Sequence, residues 1–97
     1  MILEVAMLQV KSGEDGDFEA AFRQASKIIS RMDGYISHQL HRCFEVQGQY
    51  LLLVQWIDIE SHTVGFRQSE DYQEWKRLLH HFYDPFPVVE HFEQVSL

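Results

Sequence analysis

Six histidines are the side chains of this 97-residue chain best suited to hold a metal ion or to move a proton near neutral pH. His80, His81 and His91 fall in one stretch, "WKRLLHHFYDPFPVVEHF" (residues 75–92), among prolines and aromatic rings; His38, His41 and His62 lie upstream. A transition metal needs ligands that converge on one point. His80 and His81 are adjacent, so on a helix they diverge by about 100°. His38 and His41 have opposite parity, so on a strand they point to opposite faces. His62 and His91 are isolated, and no HxxxH or HxH motif stands near a carboxylate. The histidines therefore read as proton-handling or structural groups, and no metal site is expected. The acidic loop "GEDGD" lacks the spacing and terminal glutamate of a calcium loop.

Periodicity shows which elements must carry these side chains. Residues 2–10, "ILEVAMLQV", are rich in β-branched and long apolar residues, too short for a typical helix, and read as a strand. Ile2, Ala6, Leu8 and Val10 share one face; Leu3, Val5 and Met7 share the other. A Gly-rich loop, "KSGEDGD", leads to a helix with Phe18, Phe22, Ala25, Ile29 and Met32 on one stripe. Asp15 or Asp17 is expected to cap its start, and Gly34 sits where it should stop. "YISHQLHRCFEV" reads as a second strand, "QGQ" as a short hairpin turn and "YLLLVQWID" as a third strand covered on both faces. "DIESHTVGF" and "SEDYQEWKRLLHHF" read as a broken second helix with Asp58 and Ser69 as N-caps. Tyr72, Trp75, Leu79 and Phe82 form its apolar stripe. "DPFP" ends the helix, because proline lacks the N–H and disfavours helix before it. "VVEHFEQV" is the last strand.

The order β-α-β-β-α-β predicts an α+β fold: a ferredoxin-like βαββαβ unit with an antiparallel sheet, in one domain spanning residues 1–97. Both faces of its first strand are apolar, and helices cover only one. The second face predicts a homodimer in which two sheets close into a dimeric α+β barrel.

A formal net charge of −7 argues against nucleic acid and against an anionic membrane surface as partners. No apolar run approaches the length of a membrane span. "MILEVAMLQV" has no cationic leader region, and a cytoplasmic location is expected. The single cysteine, Cys43, has no partner for an internal disulfide and reads as a small reduced side chain on a strand.

Several segments together resemble the antibiotic biosynthesis monooxygenase-like domains of the dimeric α+β barrel superfamily. They are the first strand with "KSG", "FEAAF", "DGYISHQLHRC", "YLLLVQWIDIESHTVGFRQSEDYQEW" and "DPFPVVEHF". The resemblance covers nearly the whole chain. Its most diagnostic part is a strand ending in Trp56, a helix carrying His62, and "SEDYQEW". Such families include cofactor-independent oxygenases of polycyclic phenols, quinol monooxygenases and haem-degrading enzymes. The haem-degrading pattern is not matched: Ala6 stands in place of a first-strand asparagine, Phe66 in place of a tryptophan, and Lys76, one turn from His80, near the histidine position.

The resemblance thus implies a cofactor-independent monooxygenase that oxidises a quinol or polycyclic phenol with O2. That chemistry needs an apolar cavity, a base, and a donor to the substrate oxyanion. His62 or His80 is the expected base, and Tyr72 the donor. Ala6, Phe66, Trp75 and Leu79 are expected to contact a small aromatic substrate. The competing reading is a non-catalytic dimeric module that binds a small ligand or acts in a stress response. In that reading the same aromatic residues are core, and the histidines serve helix ends.

Overall fold

A computed structural model describes residues 1–97. Strand β1 (Ile2–Gln9) is followed by helix α1 (Asp15–Ile29), then by a hairpin of β2 (Tyr35–Arg42) and β3 (Gln49–Trp56). A π-helical turn (Ser61–Phe66) leads into helix α2 (Glu70–Leu79), a 3-10 turn (His80–Phe82) and strand β4 (Val89–Phe92). The sheet order is β2-β3-β1-β4 and every pairing is antiparallel. This is the ferredoxin-like arrangement expected from the element order.

Register assigns the faces. Leu8 pairs with Tyr50, Ala6 with Leu52, and Glu4 with Val54, so these six side chains share one face of the sheet. All six are buried. Helix α1 covers one half of that face with Phe18, Phe22, Ala25, Ile28 and Ile29. Phe18 is fully buried, and its ring meets Phe22, Tyr50, Phe82 and Tyr83 at 4.9–6.0 Å. Burial of such a ring contributes about 1.5–3 kcal/mol. Trp75 and Leu79 of α2 cover the other half.

The other face carries no helix. Leu3, Val5, Leu51 and Leu53 are half-buried there, while Met7 and Phe92 are 49% and 50% exposed.

Several boundaries differ from the expectation. Helix α1 begins at Asp15, so Asp15 and Asp17 lie in its first turn; Glu14 takes the cap position without a side-chain hydrogen bond. Both aspartates still complement the free N–H groups of that turn. The helix ends at Ile29, and Met32 packs on the core from the following turn. Gly34 then adopts φ +83°, and a side chain there would collide with Ser61. The hairpin is wider than "QGQ". Strand β2 stops at Arg42, and residues 43–48 form the connection. Gly48 (φ +81°) turns the chain so that its carbonyl accepts the Val10 N–H at 2.8 Å. Cys43 therefore lies in this connection and not on the strand, with Phe44 beside it in solvent. Strand β4 is four residues long, shorter than "VVEHFEQV". Both expected caps of the broken second helix are present. Asp58 Oδ1 accepts from the Ser61 N–H and hydroxyl at 2.8 and 2.7 Å, and Ser69 Oγ accepts from the Tyr72 N–H at 3.1 Å. No helix is long and apolar enough to cross a membrane.

Candidate active site

A cavity of about 360 Å3 opens between the sheet and the second helical segment. Its floor is the helix-side face of β1 and β3, through Glu4, Ala6, Leu8 and Leu52. The π-helical turn supplies His62, Phe66 and, just past its end, Arg67; α2 supplies Tyr72 and Trp75. The far wall is His80 together with Tyr83, Phe86 and Pro87 of the turn into β4. The volume suits a small ligand, and the aromatic walls suit a flat one.

Six residues expected from sequence to bind or react line this cavity: Ala6, His62, Phe66, Tyr72, Trp75 and His80. Leu79 does not. It is fully buried on the inner side of α2 and forms part of the core. The helix ends as a 3-10 turn at His80, and this turn separates the two adjacent histidines. His80 faces the cavity, while His81 is exposed and lies against Phe82 at 4.2 Å.

The two candidate bases have different surroundings. His62 is 3% exposed and stacks on Trp56 at 5.4 Å with 24° between the ring planes. Both of its nitrogens are engaged. Nε2 lies 3.3 Å from Glu4 Oε1, and Nδ1 lies 2.8 Å from His91 Nε2. Trp56 Nε1–H donates to the same Glu4 oxygen at 2.9 Å. Indole can only donate, so Glu4 Oε1 accepts from Trp56, and His62 Nε2 lies in close contact with the same oxygen. Nδ1 of His62 and Nε2 of His91 share one hydrogen bond. Burial, and after it the charges of Arg67 and His91, push the His62 pKa down to about 3. His62 is thus a locked neutral imidazole. Burial raises the Glu4 carboxyl, while the Trp56 hydrogen bond and Arg67 act in the opposite direction.

His80 makes no side-chain hydrogen bond. Its ring meets Phe86 edge-on at 4.9 Å and Tyr72 at 5.9 Å. Burial, then Lys76, lowers its pKa below the usual value. It is a neutral imidazole with uncommitted nitrogens beside the Tyr72 ring. On the same wall the Tyr83 phenol is pushed up by burial, then by Tyr72 and Glu4.

Glu4, His91, Arg67, Tyr83 and Phe86 were not singled out by the sequence reading. A signal existed for two of them. Glu4 has the parity of Ile2, Ala6 and Leu8 and is the one acid on that apolar face. His91 is its cross-strand partner in the β1–β4 register. Trp56, expected only to pack at the strand end, is fully buried and is also the donor that holds Glu4.

The fold and cavity define a ferredoxin-like α+β protein with an aromatic-walled site between its sheet and its second helix. The chain belongs to the antibiotic biosynthesis monooxygenase family, whose sequence model matches residues 1–78. It is 59% identical over 95 residues to the uncharacterized protein YczJ of Bacillus subtilis (strain 168), covering 98% of this chain and all of the relative. A Bordetella bronchiseptica structure that carries the same family name is 38% identical, with a TM-score of 0.93 over 98% of this chain and 97% of its own. SnoaB of Streptomyces nogalater, a cofactor-independent oxygenase, is 18% identical with a TM-score of 0.78 over 99% of this chain and 94% of its own. At that identity SnoaB shares the fold alone.

Proposed function

We propose that this protein is a cofactor-independent monooxygenase that oxidises a quinol or polycyclic phenol with O2. The observation that carries the reading is an uncommitted, neutral His80 beside the Tyr72 phenol in an aromatic-walled cavity. The substrate ring lies against Phe66 and Trp75. His80 takes the acidic proton of the substrate, and the Tyr72 hydroxyl donates to the oxyanion that remains. The electron-rich anion passes one electron to O2. The substrate radical and superoxide then combine in a new C–O bond, and the peroxide takes the proton held by His80. Loss of water leaves a carbonyl, so a CH2 carbon and O2 become C=O and H2O. The substrate supplies every electron, and the reading needs no metal or organic cofactor. His80 is favoured over His62 because the nitrogens of His62 are committed to Glu4 and His91.

Oxygen uptake tests the reaction class. Purified, chelator-treated protein is presented with naphthalene hydroquinones and anthrone-like phenols. Uptake well above autoxidation is expected for at least one of them. Uptake at the autoxidation rate throughout, from protein that still binds an aromatic ligand, would favour the ligand-binding module.

The same reading includes a homodimer. The apolar sheet face opposite the helices, centred on the cross-strand pair Val5 and Leu53, fits a second copy of itself and would close a barrel. Wild-type protein is expected to sediment as a dimer at micromolar concentration. Leu53→Glu, on the face away from the helices, is expected to sediment as a folded monomer. A monomeric wild type would sink the barrel.

A further inference from the structure

We infer that the ligand of this cavity is an aromatic carboxylate, held through its anionic group by the Arg67 guanidinium. The inference rests on the proposed site and names its substrate class. The chain carries a net −7, and most of its arginines are spent. Arg31 pairs with Asp71 at 2.9 Å, Arg42 with Glu19 at 2.8 Å, and Arg77 with Glu74. Arg67 lines the cavity and makes neither an ion pair nor a side-chain hydrogen bond.

Its placement follows from the backbone. Arg67 directly follows Phe66, the buried aromatic wall, and its N–H is tied to the His62 carbonyl at 3.0 Å. A ring lying against Phe66 therefore shares the cavity with the side chain of Arg67. The positive field extends inward from there. It acts on Glu4 of β1, on His62 of the π-helical turn and on His91 of β4, in each case against the cationic or protonated form.

Glu4 is the one acid on the cavity wall, and it makes no ion pair with Arg67. Its Oε1 accepts from Trp56 and lies against His62, which ties the carboxyl to the floor. Arg67 is exposed and keeps its planar fork of donors free. Guanidinium and carboxylate match as a bidentate pair, which a neutral phenol cannot reproduce.

The test compares 1-naphthoate with its neutral isostere 1-naphthamide, following the heat of binding at low salt, with the quenching of tryptophan fluorescence (Trp56 and Trp75) as a second readout. Wild type is expected to bind naphthoate about tenfold more tightly, a preference of about 1.4 kcal/mol. The preference should shrink as salt rises, because the site is open to water. Arg67→Gln should bind both probes alike with an unchanged melting temperature, and Arg67→Lys should recover part of the preference. Equal affinities in wild type, no binding of either probe, or a preference that survives in Arg67→Gln would overturn the inference. The two readings fail separately. Oxygen uptake on neutral quinols without an anion preference would remove only the carboxylate. An anion preference without any uptake would keep the carboxylate and remove the oxygenase.

Discussion

His80→Ala is expected to lower kcat for the substrate found in the uptake screen by about 100-fold or more, in the range typical of a lost general base. The fold should survive. His80 is half-buried, sits in a short 3-10 turn and holds no hydrogen bond that the core needs. His62→Gln should cost stability, with a much smaller effect on kcat, because His62 serves Glu4 and His91 and offers the substrate no free nitrogen. The pH profile supplies a second readout. The working form of His80 is the neutral one, and its pKa lies below the ordinary 6.5 through burial and the nearby Lys76. Acid protonates the base, so kcat/KM should fall as pH drops through a midpoint below 6.5 and stay level above neutrality. Burial and Lys76 of the preceding helix set this midpoint; Glu4, His62, Arg67, Tyr72 and Tyr83 are the other charged or titratable groups that line the cavity with His80. A variant with wild-type kcat, or a limb that lies above pH 7, would remove His80 from the role.

Glu4→Ala carries the largest expected effect on stability. The substitution leaves the indole N–H of Trp56 without its acceptor and removes the carboxylate that lies 3.3 Å from His62 Nε2. Both side chains are essentially buried, at 0% and 3% exposure. An orphaned buried donor costs about 1–3 kcal/mol, and water entering from the cavity can partly replace the carboxylate. The net loss should be about 1–3 kcal/mol, or on the order of 10 °C in Tm for a chain of this size. Glu4→Gln retains an oxygen acceptor at the same reach and should lose only about 1 kcal/mol. Thermal melts of the two variants make the comparison. An alanine variant as stable as wild type would show that the Trp56–Glu4–His62–His91 chain holds nothing in place.

Much of the architecture can be read from the sequence alone. The short apolar runs in "ILEVAMLQV" and "YLLLVQW" are enough to mark two central strands, and parity sorts their side chains into two faces because it is a local property. Asp58 and Ser69 announce both starts of the second helical segment, because a cap acts within three residues. The aromatics at positions 66, 72 and 75 lie together on that segment, so one wall of the cavity was legible. Other features were set by tertiary contact. The first helix ends three residues before its apolar stripe does, where Gly34 must pass close to Ser61. Leu79 shares the stripe of Trp75 yet faces the core, because the depth of a helix over a sheet is not encoded in its period. The contrast between His62 and His80 was equally out of reach. Both are single imidazoles in a helical segment. Only the β1–β4 register brings Glu4 and His91 to His62 and leaves His80 free. Local order wrote the elements of this protein, and long-range pairing across the sheet decided which histidine is bound and which keeps its nitrogens free.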